Sequence, residues 1–322
     1  MSLRVAIIGT GWFANMHAKL LAGMDHVEVC AIIGSDVEKA KQFASQFNGA
    51  KGYASIENML GSTTVDAAYI CTPPFAHGNY EYELIEHDIP FLVEKPLSVE
   101  KDLPHHILQK IEDKGLITSV GYHFRYTDAA DQMKLLLQQR TIGMALGYWM
   151  GGAPGGTWWR RQEKSGGQFV EQTTHIVDLL RYFAGEVAEV YAAYGHRQLH
   201  IEDANANVAD VGTVTLKLVN GSIATISNTC MLAAGEHSGL HIYTNEGKLE
   251  LSHHGLKDIQ KHTVTEYLNR SNPYERESNI FLEAIRTKDA SHIRSTYADS
   301  VRTHQVTMAA NESALTGKPI KL

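Results

Sequence analysis

The first 121 residues alternate between two textures. Short runs of Val, Ile and Ala read as buried strands: the run entering at Leu3, then Val27–Ile33, Val65–Cys71, Ile89–Val93 and Leu116–Gly121. Between them the pattern turns helical over Phe13–Met24, Asp36–Phe47, Ala76–His87 and Ser98–Lys114, the last with Ser98 as its N-cap. Strict alternation of this kind predicts a doubly wound parallel sheet with helices on both faces. After Gly121 the texture changes. Helices are expected at Asp128–Gln139, Gln168–Phe183, Tyr274–Arg286 and Tyr297–Ser313. Strands are expected at Gly143–Met150, Val187–His196, Ala206–Val219, Ser222–Met231, Leu240–Tyr243 and Lys248–Leu251, with Asn220-Gly221 as a hairpin turn between two of them. The pattern therefore predicts an α/β domain over 1–121 and an α+β domain over 122–322, the second on a largely antiparallel sheet.

The first strand ends in Gly9-Thr10-Gly11-Trp12-Phe13-Ala14, a Gly-x-Gly-x-x-Ala turn that opens a helix. This is the arrangement of a dinucleotide-binding βαβ unit. Gly9 allows the sharp turn, Gly11 lets backbone N–H groups approach a pyrophosphate, and Ala14 is small enough for helix and strand to pack. The helix N-terminus adds unpaired donors and the positive end of its dipole.

Composition narrows the class. At 43% apolar and 20% charged the chain reads as an ordinary soluble globular protein. A net charge of −7 with no Lys/Arg run argues against nucleic acid and against a polybasic membrane anchor. No apolar run reaches the ~20 residues that span a bilayer, and no secretory signal pattern opens the chain. Cys30, Cys71 and Cys230 are odd in number and far apart, which predicts buried thiols in a cytoplasmic protein. No His/Cys spacing indicates a metal site.

Two further motifs carry candidate chemistry. The fourth strand runs into Glu94-Lys95-Pro96, and ligands of an open parallel sheet sit beyond the carboxyl ends of its strands. Lys95 is either a ligand-facing amine, aimed by Pro96 behind a cis bond, or a surface lysine. On the same edge, Thr72 and Pro73 are placed to wall a cofactor cleft, and Cys71 reads as a small buried hydrophobe. His77 is placed at the opening of the next helix, where it either joins the cofactor site or covers the first turn. In a continuous helix from Gly166 to Ala184, Glu171, His175 and Asp178 share one narrow face opposite Phe169, Val170, Ile176, Val177, Leu180 and Phe183. That stripe is either an exposed acid–imidazole pair or an acid/base pair facing substrate.

The ordered set Gly-x-Gly-x-x-Ala, Glu-Lys-Pro and Gly-Gly-x(3)-Glu-x(3)-His-x-x-Asp resembles the Gfo/Idh/MocA family, the glucose–fructose oxidoreductase and inositol dehydrogenase group. The likeness also takes in Cys71-Thr72-Pro73-Pro74, Gly121-Tyr122-His123-Phe124-Arg125-Tyr126 and Thr316-Gly317-Lys318. It implies a Rossmann domain followed by an α/β domain whose open sheet builds homodimers or homotetramers. It further implies a catalytic lysine at Lys95, a catalytic histidine at His175, and Glu94 helping to bind the nicotinamide side of NAD(P). The family's aspartate falls on Glu171 and a family glycine on Thr173, both departures. The implied reaction moves a hydride between nicotinamide and a hydroxyl-bearing carbon of a sugar, polyol or cyclitol, with His175 as acid/base, Lys95 on the reacting oxygen, and Glu171 orienting His175. Two other readings share the family: an NAD(P)-binding sensor without turnover, and an NAD-dependent glycoside hydrolase.

An NAD-preferring fold carries an acid about 20 residues past the glycine motif. Here Gly34 and Ser35 occupy that slot, with Asp36 as a helix cap and Lys39 within reach of a phosphate, a slight lean to NADP. For the substrate, Tyr122 and His123 are expected to line the cleft. Trp158-Trp159-Arg160-Arg161 reads either as a structural lid or as supplying a pocket residue such as Trp158 or Arg160.

Overall fold

The computed structural model describes residues 2–233, 235 and 237–322. It divides into two compact units, Met1–Gly121 with Tyr274–Val301, and Tyr122–Pro273 with Arg302–Leu322. The segment 274–301, expected in the second domain, thus returns to the first.

The first unit holds six parallel strands: β1 (Leu3–Ile8), β2 (Val27–Ile33), β3 (Lys51–Tyr53), β4 (Ala67–Ile70), β5 (Phe91–Val93) and β6 (Thr118–Val120). Their order is β3-β2-β1-β4-β5-β6, a doubly wound sheet whose direction of winding reverses beside β1. Val5, Ile7, Val29, Ile32, Ala67 and Tyr69 fill its core against Ala14, Ala18 and Leu21 of the Trp12–Ala22 helix. The returning segment belongs here because Phe281 meets Tyr69 at 5.7 Å between ring centroids and Tyr297 meets Phe91 at 6.3 Å. The Ser295 carbonyl also accepts from the Val120 N–H at 2.8 Å, covering the β6 edge.

Several element limits differ from expectation for local reasons. The helix expected over Ala76–His87 is a 3-10 turn, Pro74–Ala76, and a separate helix, Asn79–Glu86, divided at Gly78 with φ +112°. Ser98 does not cap the next helix. Its hydroxyl accepts from the Glu100 N–H, and the helix starts at Leu103 because Pro104 is tolerated only in a first turn. The short β3 and the Ile56–Leu60 helix were not foreseen.

The second unit carries a nine-stranded sheet among the described residues: β7 (Ile142–Met150), β8 (Val187–Gly195), β9 (Val211–Leu218), β10 (Ile223–Thr229), β11 (His237–Thr244), β12 (Gly247–Ser252), β13 (Gly255–Ile259), β14 (Val264–Leu268) and β15 (Ile320–Lys321). The order is β14-β13-β12-β11-β7-β10-β9-β8-β15, antiparallel except for the β7–β10 pair. β13, β14, β15 and the Leu199–Glu202 helix were not expected, and β9 begins at Val211 where a strand from Ala206 was expected. One face of the sheet packs on the Thr174–Ala184 helix through Ala145, Ile226, Leu240 and Ile176. No helix among the described residues is long and apolar enough to cross a membrane.

Gly9 sits at φ +120°, and a Cβ there would lie 2.6 Å from the Cys71 carbonyl oxygen. Gly9→Ala is therefore expected to cost about 1–3 kcal/mol through backbone strain and this clash. Urea denaturation reads the change, and an unmoved midpoint would contradict the packing described.

Candidate active site

The carboxyl ends of β1, β4, β5 and β6 form one edge of the first unit. At β1, Gly11 is the N-cap of the Trp12–Ala22 helix, with no side-chain capping bond and no acidic residue in the first turn. A Cβ added at Gly11 would meet nothing within 4 Å. The turn thus leaves its N–H donors uncovered beside open space, a fit to a dinucleotide pyrophosphate. Thr10, Trp12 and Phe13 are exposed around it, whereas Ala14 is buried against the sheet. At the end of β2, Gly34 offers no carboxylate, and a Cβ there would lie 2.9 Å from the Thr10 methyl, which would have to turn aside. Ser35 is exposed. Asp36 spends its carboxylate on the Glu38 and Lys39 N–H groups, 3.1 and 3.2 Å away, and the Lys39 amine lies 3.7 Å from the same side chain.

Beyond β4, Thr72 and Pro73 are half-buried. Burial, then the charge of Glu94, pushes the Cys71 thiol well above its ordinary range, in keeping with an inert hydrophobe. His77 does not open a helix. Its ring is buried, with Nε2 3.0 Å from the Thr72 carbonyl and Nδ1 3.1 Å from that of Leu97. Beyond β5, Glu94 is buried, its Oε1 2.7 Å from His17 Nε2, and a Cβ at Gly121 would lie 2.7 Å from Glu94 Oε2. Lys95 follows, half-buried, and the Lys95–Pro96 bond is cis.

In the second unit the helix expected from 166 to 184 is two helices, Gln168–Glu171 and Thr174–Ala184. The Thr173 N–H bonds back to Gln168 and the His175 N–H to Gln172, so the ladder slips between them. The face shared by Glu171, His175 and Asp178 on one continuous helix therefore does not exist. Glu171 Oε2 accepts from the Trp159 indole N–H at 2.8 Å. Asp178, nearly wholly buried, takes a two-pronged bond from Arg125, Nε to Oδ2 at 2.7 Å and Nη2 to Oδ1 at 2.6 Å, plus a bond from the Thr303 hydroxyl at 3.0 Å. It is a structural anchor.

His175 is buried among four rings: His123 at 5.0 Å, Phe124 at 4.9 Å, Tyr122 at 5.8 Å and Trp149 at 5.8 Å between centroids, the last nearly parallel. Tyr122 is held by the Thr174 hydroxyl at 3.0 Å, and burial raises its phenol above the ordinary range. Two of these rings, Phe124 and Trp149, were not singled out from the sequence. Trp149 was accessible in principle, since Ala145, Gly147 and Trp149 alternate as the inward positions of β7. Of the Trp158–Arg161 segment, Trp159 is wholly buried in a small apolar cluster with Leu199, Val208 and Cys230, against which Trp158 packs. Arg160 pairs with Asp203 at 3.6 Å.

Comparison with known proteins agrees with this geometry. Residues 3–122 match the Gfo/Idh/MocA description "Oxidoreductase family, NAD-binding Rossmann fold", and residues 133–250 match the family's C-terminal domain. The chain belongs to the Gfo/Idh/MocA oxidoreductases. Among its relatives is the uncharacterized oxidoreductase YrbE of Bacillus subtilis, 24% identical over 98% of this chain and 95% of that one. A myo-inositol 2-dehydrogenase of Thermotoga maritima is 22% identical over 77% of this chain and 74% of its own length. The fold is shared with a myo-inositol dehydrogenase structure from Corynebacterium glutamicum, TM-score 0.83 at 22% identity, covering 100% of this chain and 99% of that one. This Gfo/Idh/MocA member is thus an NAD-binding oxidoreductase, with the Rossmann match on the unit that carries the Gly9–Ala14 turn.

The Arg125–Asp178 pair gives a direct test of the second unit's packing. Both side chains are at most 3% exposed, so Arg125→Met leaves a buried carboxylate without its cation. The expected loss is about 3–5 kcal/mol by urea denaturation, and a loss below about 1 kcal/mol would show the pair to be solvated.

Proposed function

We propose that this protein oxidises a hydroxyl-bearing carbon of a sugar, polyol or cyclitol, and reduces the corresponding carbonyl in reverse. The observation that carries the reading is the His175 imidazole kept among the rings of Tyr122, His123, Phe124 and Trp149 in a chain with this family's cofactor turn. Aromatic walls suit the C–H faces of a ring or chain polyol, and a histidine titrates near working pH. When bound, a nicotinamide cofactor supplies the hydride acceptor; Gly9, Thr10, Gly11, Trp12, Phe13, Ala14, Ser35, Thr72 and Pro73 would hold it. A ring nitrogen of His175 takes the hydroxyl proton as the C–H bond breaks and returns it in reduction. The Lys95 ammonium donates to the same oxygen and stabilises its alkoxide character. Glu171, fixed by Trp159, balances the charge that His175 gains. Arg160 and Trp158 contribute to substrate binding beside Tyr122 and His123. The open face of the nine-stranded sheet is the surface for homodimer or homotetramer formation, and the protein works in the cytoplasm.

Sugars, polyols and inositols screened with NAD and NADP at the nicotinamide absorbance provide the substrate. With it, His175→Ala is expected to lower kcat about 10²- to 10⁴-fold and Lys95→Ala about 10²- to 10³-fold, with cofactor affinity retained. Near-parental kcat in both variants would overturn the assignment.

The cofactor preference follows from the ribose end. Gly34 offers no carboxylate to a ribose 2′-hydroxyl, Asp36 Oδ1 caps its own helix, and we assign the exposed Lys39 amine to a 2′-phosphate. NADPH is expected to bind at least as tightly as NADH in fluorescence titration, and Lys39→Ala to weaken NADPH alone. A tenfold preference for NADH would contradict this.

A further inference from the structure

The segment Glu94-Lys95-Pro96-Leu97 leaves β5 with a buried histidine on each side of Lys95. His17 lies on the buried face of the Trp12–Ala22 helix, its ring near those of Tyr69 and Tyr274, at 5.3 and 6.0 Å. Its Nε2 is 2.7 Å from Glu94 Oε1, with the two side chains 0% and 6% exposed. His77 engages the other end. One ring nitrogen faces the Leu97 carbonyl at 3.1 Å and the other the Thr72 carbonyl at 3.0 Å. The ring thus spans a carbonyl beyond β4 and a carbonyl beyond β5. The Glu81 carboxylate, with Oε1 3.7 Å from His77 Nδ1 and its side chain likewise 0% exposed, backs the ring. Glu81 is itself fixed by the Gly78 N–H at 2.6 Å. A histidine buried for packing alone needs no pair of carbonyls from two different strand ends.

We propose that His17 and His77 are positioning residues that clamp the Lys95 segment from both sides and tie it to the two turns assigned to the cofactor. His17 reaches it from the helix that Gly11 opens, and His77 from the Thr72–Pro73 turn. The proposal rests on the function proposed above for Lys95. It makes the placement of the Lys95 amine depend on side chains that touch neither substrate nor cofactor. A displacement of about 1 Å at a reacting group can cost about 100-fold in rate, so the clamp is expected to act on kcat more than on cofactor affinity.

Reductive methylation with 13C-formaldehyde converts lysine amines to charged dimethylamines visible by NMR without any substrate, and Lys95→Ala assigns the Lys95 signal by its loss. In His17→Gln and His77→Gln, each read where its circular dichroism matches the parent, the Lys95 signal is expected to move towards that of exposed lysines. An unmoved signal overturns the clamp. The two variants act on opposite sides of the segment, so misfolding of one leaves the other to decide. With a substrate from the panel, each variant is expected to lower kcat about 10- to 100-fold with the cofactor Kd within about threefold, and to add nothing in a Lys95→Ala background. An equal loss in both backgrounds also overturns the proposal. Should Lys95→Ala itself leave kcat unchanged, the proposed function fails, while the NMR result still decides the clamp.

Discussion

The ends of neighbouring strands in the first unit meet so closely that two positions have no room for a side chain. A Cβ at Gly9 would strike the Cys71 carbonyl, and one at Gly121 would strike the Glu94 carboxylate. The first contact forces the turn after β1 and leaves Gly11 at the mouth of a helix with nothing capping it. The second lets a buried carboxylate sit at the end of β5, where His17 holds it and Lys95 follows at once. Open donors, buried carboxylate and amine are consequences of one crowded sheet edge.

The second unit uses the same device for a different purpose. A Cβ at Gly147 would lie 2.5 Å from Ile176, so the Thr174–Ala184 helix lies close on β7. That approach brings the His175 ring over Trp149, two residues further along the strand. The Arg125–Asp178 pair and the Thr303 hydroxyl then fix the helix one turn beyond His175.

Much of this was legible in the sequence because it is local. β1 and β2 end in the apolar runs Val5–Ile8 and Val29–Ile33, the Gly-x-Gly-x-x-Ala turn is contiguous, and Glu94-Lys95-Pro96 stands at the end of a strand whose burial its own residues announce. What was hidden depends on partners far along the chain. Asp178 looked like one of three polar residues on a helical stripe until Arg125, 53 residues earlier, claimed both its oxygens. The break at Gln172–Thr173 has no Gly or Pro of its own to mark it; the helix before it starts from Gly166 and Gly167 in the left-handed region. β13 and β14 are short and carry Lys257, Asp258 and Glu266, charged residues that make the two segments read as loop. The return of 274–301 to the first unit rests on Phe281 and Tyr297 meeting rings about 200 residues earlier, contacts that no local periodicity encodes.

The central claim is direct hydride transfer between a substrate carbon and the cofactor. It is tested most directly by supplying sugars, polyols and cyclitols deuterated at the carbinol carbon together with oxidised cofactor, then locating the label by NMR. The account predicts one deuterium at C4 of the reduced nicotinamide, on a single face. Label released to solvent, or a bound cofactor that takes up none from any of these compounds, would contradict it.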